Sequence, residues 1–275
     1  MPPNDLRRRL ELSTPTNESE LDDDDAIETL DAAQVKSTNN RKFLLAIAAL
    51  FLSLERELFR VLWNDSKQAS LATFGLVRIQ PERPTSTLLD LRSYQWLQSQ
   101  SDLLRAAHTK TLRAFRSVSR KRLLELLVRF HRIRPGDALS LLSREDVRAH
   151  DAILADSAAN VLKDHWLKSH MQAMLTQTAK AFELARKSLK PKSMTVAVTE
   201  IGRTINHEMV RVFDDAMEPA APTSVLVWCA ILDERTCQAC ADRDGMEVKS
   251  SDTKPPIHPR CRCFVAPVTF SASVQ

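Results

Sequence analysis

Glycine is scarce in this chain, at 4 of 275 residues, where average usage is about 7 %. Sheet-rich folds place glycine at the positive-φ positions of tight turns. A large barrel or sandwich and a glycine-rich nucleotide fold are therefore not expected. Aromatic residues are also few, at 5 % with a single tyrosine. No cysteine precedes Cys229. The apolar stretch from Phe43 to Leu54 would reach only about 18 Å as a helix, while a membrane core needs roughly 20 apolar residues. It reads as a buried or interface helix. Arg7-Arg8-Arg9 has no apolar stretch behind it, so no secretory signal is expected and the chain reads as cytoplasmic.

What remains is 43 % apolar and 27 % charged, the balance of a folded chain with a real core. Strong helix formers dominate it. The net charge of +4 is unevenly spread: residues 1–36 carry ten acidic and four basic residues, leaving +10 on the rest. A basic body with an acidic tail is compatible with a polyanionic partner. Residues 1–36 are rich in Asp, Ser and Thr and read as a flexible tail.

Helical periodicity predicts a helix from about Arg41 to Asn64, with Leu50, Leu54, Leu58, Val61 and Leu62 at helical spacing. Residues 78–84 hold two prolines and read as a linker. A second helical stretch runs from Leu88 to Arg134 and ends at Pro135-Gly136. Leu112, Phe115, Ser119, Leu123, Leu126, Leu127 and Phe130 form its inward face. A further start is marked by Ser143-Arg144-Glu145-Asp146. A long helix is expected over about 156–189, broken by Pro191, and another over about 194–217 that buries Val198, Ile201, Ile205, Met209 and Val212. After Pro219-Ala220-Ala221-Pro222 the pattern turns to strands: Ser224 to Ile231, Met246 to Val248 and Cys263 to Val265. The expected fold class is mainly α: an elongated helical body over 37–190, and a small C-terminal α+β module of zinc-ribbon or knuckle type over 191–275.

The densest chemistry is Cys237-Gln238-Ala239-Cys240, seventeen residues, then His258-Pro259-Arg260-Cys261-Arg262-Cys263. Two ligand pairs, each with two intervening residues, are the pattern of a zinc site. A tight turn aims both members of a pair at one ion, and the connecting loop brings in the second pair. Cys237, Cys240, His258 and Cys261 are the favoured ligands, with Cys263 able to replace Cys261 or His258. Cys229 is expected to be buried in its strand. Four good ligands close the coordination shell, so a structural zinc is expected rather than a catalytic one. Reduced thiols or disulfides are the alternative. Asp233 and Arg235 precede the first ligand and are expected to brace the turn.

Between Arg105 and Arg134 there are ten Lys or Arg residues and one acid, Glu125. Arg113, Arg116, Arg120, Lys121, Arg122 and Arg129 fall on or beside one polar helical face. This is either a solvated face or a contact for DNA phosphates, which would be sequence-independent and salt-sensitive, or for an acidic protein surface. Glu200 and Arg203 read as a surface pair.

Trp228, Asp233, Arg235-Thr236-Cys237, Cys240, Asp244-Gly245, Pro255-Pro256, His258-Pro259 and Cys261-Arg262-Cys263, taken in order, resemble the C-terminal signature of the phage head morphogenesis family, the Mu F-like minor head proteins of tailed bacteriophages. Thr199-Glu200 resembles the family's upstream Thr-Glu element. The specific likeness covers about 194–268. It implies a virion component without turnover chemistry. Such a component would associate with the portal protein, the major capsid protein or the scaffolding protein, inside the head or at the portal vertex, with no membrane partner. It also implies that Glu200 ties its helix to the zinc module through Arg235. A metal-dependent nuclease or transferase using Asp233 or Asp244, and a zinc-ribbon DNA-binding regulator, are the alternatives from other classes.

Overall fold

The computed structural model describes residues 38–78, 91–131, 133–134, 136–137, 140, 144–176, 178–217, 224–232, 235–249 and 252–269. The expected tail at 1–36 and Asp233 lie outside them. Among the described residues the order is α1 (Thr38–Arg78), α2 (Leu91–His131), α3 (Glu145–Thr176), α4 (Ala179–Val212), a π-helical turn (Phe213–Met217), β1 (Ser224–Ala230), the short α5 (Gln238–Ala241) and β2 (Cys263–Thr269). The molecule is mainly helical with a small C-terminal sheet, as expected. No helix among the described residues is long and apolar enough to cross a membrane.

The chain divides into two compact units, one from residues 1–51, 122–141 and 202–275, the other from 52–121 and 142–201. The second unit is built from four helical segments. Leu97, Leu104, Trp166 and Leu189 form its main cluster, with Trp63, Met171 and Met174 packed against them. Phe182 and Ala185 extend the apolar stripe, and Phe74 meets Phe182 edge-on at 5.9 Å. Fully burying side chains of this size stabilises by roughly 1.5–3 kcal/mol each.

The expected break at Pro191 is not there. The chain breaks earlier, between Thr176 and Ala179, and α4 runs straight through Pro191. Thr178 explains the start of α4: its hydroxyl accepts the Ala181 N–H at 3.1 Å, and its carbonyl accepts Ala181 and Phe182. This is a helix N-cap written by a threonine. An interior proline costs about 3 kcal/mol. Leu189 on one side and Val196, Ala197 and Val198 on the other are all buried, and that burial holds the helix together across the proline. The Thr195 hydroxyl adds a bond to the Pro191 carbonyl at 2.9 Å.

The first unit joins the start of α1, the end of α2, the end of α4 and the sheet. Phe43, Ile47, Phe51, Leu123 and Leu127 are buried here, with Ile205, Met209 and Val212 from α4. β1 and β2 are antiparallel, from Ser224↔Thr269 to Ala230↔Cys263. On the other edge of β1, Val227 bridges Glu247, with backbone bonds Trp228 N to Met246 O and Val248 N to Leu226 O, each 2.8 Å. All three segments read as strands therefore pair, with β1 in the middle.

Asn206 of α4 closes the outer edge of β2. Its amide donates to the Cys263 carbonyl at 3.1 Å, and its carbonyl accepts the Val265 N–H at 2.7 Å. One side-chain amide thus replaces a neighbouring strand. Two residues further along the same edge, Pro267 has no N–H to offer, a common way to blunt an edge strand.

Candidate metal centre

Two backbone turns present the ligands. In the first, Cys237 has an extended backbone and its carbonyl accepts the N–H of Cys240 at 3.1 Å and of Ala241 at 3.0 Å, opening α5. In the second, the Cys261 N–H donates to the His258 carbonyl at 3.2 Å. Pro259 and Arg260 sit inside that turn, Arg260 at φ 63°. A proline followed by a positive φ is the backbone of a type II turn. The two turns are built alike, each bonding its second ligand back to its first.

They bring the donor atoms together. His258 Nε2 lies 3.2 Å from Cys237 Sγ and 3.1 Å from Cys240 Sγ, and Cys240 Sγ lies 3.7 Å from Cys261 Sγ. Tetrahedral thiolates about 2.3 Å from zinc stand roughly 3.8 Å apart, so the donor set fits that ion. Cys237, Cys240 and His258 form one group and Cys240, Cys261 and Cys263 a second, each with all donor atoms within 4.8 Å. All five predicted donors are thus assembled, while Cys229 belongs to neither group. Cys229 is part-buried in β1, and burial pushes its thiol up.

The electrostatics are those of crowded sulfurs. The hydrogen bond from Cys263 draws the Cys261 thiol down to about 5, and the same bond pushes Cys263 up. Burial pushes Cys240 up to about 12. At Cys237 burial opposes ionisation, but bonds from Cys240 and the nearby His258 outweigh it and hold the thiol below its usual value. Several thiolates cannot coexist at this spacing without a cation between them.

His258 Nδ1 donates to the Pro259 carbonyl at 2.9 Å, which also raises the His258 pKa. This bond aims Nε2 at the two cysteines, the arrangement usual for a metal-binding imidazole. A main-chain carbonyl as partner is not readable from residue type or spacing.

The remaining motif residues hold the loops. Asp244 accepts the Ala230 N–H at 2.7 Å, and Gly245, at φ 81°, donates its N–H to Trp228 O at 2.8 Å. Asp244 is raised to about 6 by burial, opposed by that backbone bond. Thr236 donates its hydroxyl to Ile231 O at 2.5 Å. Trp228 is buried, with the Arg243 guanidinium 5.8 Å from its ring centre. Arg235 is exposed. Gly202 of α4 lets the metal loop come close: a Cβ there would lie 3.5 Å from the Cys261 carbonyl oxygen and 3.8 Å from Pro256.

Residues 162–266 match the family model described as Phage Mu protein F like protein. This segment is Mu F-like. No curated protein and no solved structure matches the chain. The Mu F-like segment begins within α3, further toward the N-terminus than the 194–268 signature, and contains all five donors. The match likens this segment, and not the rest of the chain, to Mu protein F.

The basic face of α2, outside the Mu F-like segment, is not as expected. Arg113, Lys121 and Arg129 are exposed and Arg122 is half-buried. Arg116 and Arg120, at 3 % and 4 % exposure, point inward. Arg116 binds Asp151 at 3.1 Å and Glu200 at 2.6 Å, and Arg120 binds the other oxygen of Asp151. Glu200 is itself buried in this second unit, so it is no surface pair. Two guanidinium groups enter a helical interior only where carboxylates from other helices meet them. Those carboxylates are 31 to 84 residues away in sequence, beyond the reach of helical periodicity.

Proposed function

We propose that the chain is a minor head protein of a tailed phage or prophage that works by assembly and not by turnover. In this reading a structural zinc, held by Cys237, Cys240, Cys261 and His258, fixes the C-terminal module. When bound, it supplies charge neutralisation and crosslinking between the two turns, and no reacting group. The helices dock on the portal protein, the capsid interior or the scaffolding protein, in the host cytoplasm during assembly and then inside the head. Arg113, Lys121, Arg122 and Arg129 meet packaged double-stranded DNA without sequence preference, or an acidic portal surface.

The observation that carries this reading is the assembly of five metal donors inside the Mu F-like segment. Asp244, the acid nearest to an enzyme-like role, is bound to the β1 backbone, which favours structural use over a hydrolytic one.

The test is incorporation. Heads purified from a host carrying the intact phage are analysed by mass spectrometry, beside heads assembled without the portal. The expected result is a few copies per head, lost when the portal is absent. Full-length chain missing from heads in both preparations would overturn the assignment. For the DNA contact, duplex binding at 50 and 200 mM salt compares wild type with Arg113→Ala/Lys121→Ala/Arg129→Ala. A phosphate contact predicts weaker binding and a shallower salt slope in the variant, by about one unit per lost contact; an unchanged slope contradicts it.

A further inference from the structure

The metal loop offers five donors where a tetrahedral ion takes four. They do not form one ring: they form two triads that share Cys240, one with Cys237 and His258, the other with Cys261 and Cys263. Cys237 and Cys263, one from each triad, live in opposite settings. Cys237 is exposed, at the start of a helix of only four residues. Cys263 is buried, its backbone paired with Ala230 in the sheet and its carbonyl held by Asn206.

We propose that Cys263 is a reserve ligand: Cys240, Cys261 and His258 hold the ion in common, and the fourth position passes between Cys237 and Cys263. The inference rests on the reading of this loop as a zinc centre. Zinc has a filled d shell and imposes no geometric preference of its own, so Cys263 Sγ, grouped with Cys240 and Cys261, would serve as a fourth donor as well as Cys237 does. One metal–sulfur bond forms as another breaks. The Cys263 thiol loses its proton on binding, and the Cys237 thiolate gains one on leaving, so the charge of the centre is unchanged. The consequence is a module that keeps its ion, and its fold, when the exposed thiol is occupied by something else.

The experiment uses the full chain as wild type, Cys237→Ser, Cys263→Ala, the double variant and Cys240→Ser. Zinc content and chelator competition are measured for each, with the thiolate-to-cobalt absorption of the cobalt-loaded protein. Both single variants are expected to keep one ion per chain, weakened by no more than about tenfold. The cobalt band of Cys237→Ser should keep its three-thiolate intensity and not fall to about two thirds. The double variant and Cys240→Ser are expected to lose the ion. Loss of the ion from Cys237→Ser to the same extent as from the double variant would overturn the proposal. Wild type that binds no metal would instead overturn the zinc reading beneath it. As a second arm, iodoacetamide should modify Cys237 in the zinc-loaded wild type without releasing zinc, and stoichiometric release would contradict the exchange.

Discussion

Replacing Glu200 with alanine tests the buried charge cluster. In wild type, two guanidinium groups face two carboxylates, with Glu200 Oε2 2.6 Å from Arg116 Nη2 and side-chain exposures of 3 % and 4 %. Glu200→Ala leaves Arg116 and Arg120 sharing Asp151. Removing one partner of a buried pair costs about 3–5 kcal/mol, because the remaining charge stays out of water. For a chain of this size each kcal/mol lowers the melting temperature by about 2–4 °C, so the expected loss is roughly 6–20 °C. The assay is the thermal melt by circular dichroism at 222 nm, at low and high salt. Burial predicts a loss that salt barely changes. The double variant Arg116→Met/Glu200→Met leaves the Arg120–Asp151 pair intact and should recover most of the stability. A loss below about 1 kcal/mol for Glu200→Ala, the range of exposed pairs, would contradict a buried cluster, as would a loss that vanishes in salt.

Three further outcomes follow from the structure. His108, His131 and His170 are all lowered to about 4, chiefly by burial. The unfolded chain therefore binds more protons than the folded one between about pH 6.5 and 4, and stability should fall as pH drops through that window, by up to about 3 kcal/mol per histidine. Asp244, raised to about 6, works the other way: its contribution is present at low pH and is lost as pH rises to about 6. Melts from pH 7 to 4.5 should show a net decline, and a rise would contradict it. Asn206→Ala strips both hydrogen bonds from the β2 edge and should cost about 2–4 kcal/mol and weaken zinc retention against a chelator. A full-strength centre in that variant would show that the edge bonds do not position Cys263.

The parts of this molecule that were legible in its sequence are the local ones. Val198, Ile201, Ile205, Met209 and Val212 recur at helical spacing, and all five are buried. The three strand segments and the two ligand pairs likewise follow from residue type and short spacing. What was not legible depends on distant partners or on backbone atoms. Pro191 sits inside a helix because its neighbours are buried on both sides, which no local rule reports. Arg116 and Arg120 look like surface residues until Asp151 and Glu200 arrive from other helices. The anchors of the metal loop, Asn206 and the Pro259 carbonyl, are an ordinary helical asparagine and a main-chain atom.

Metal analysis of the purified full-length chain, wild type beside Cys240→Ser, probes the zinc centre itself, because Cys240 belongs to both donor groups. About one zinc per wild-type chain is expected, as a closed four-ligand site holds. Cys240→Ser should hold no zinc and show red-shifted tryptophan emission as the sheet around Trp228 loosens. A wild-type chain that is folded and free of metal, with the same emission and the same melt as Cys240→Ser, would contradict the zinc centre.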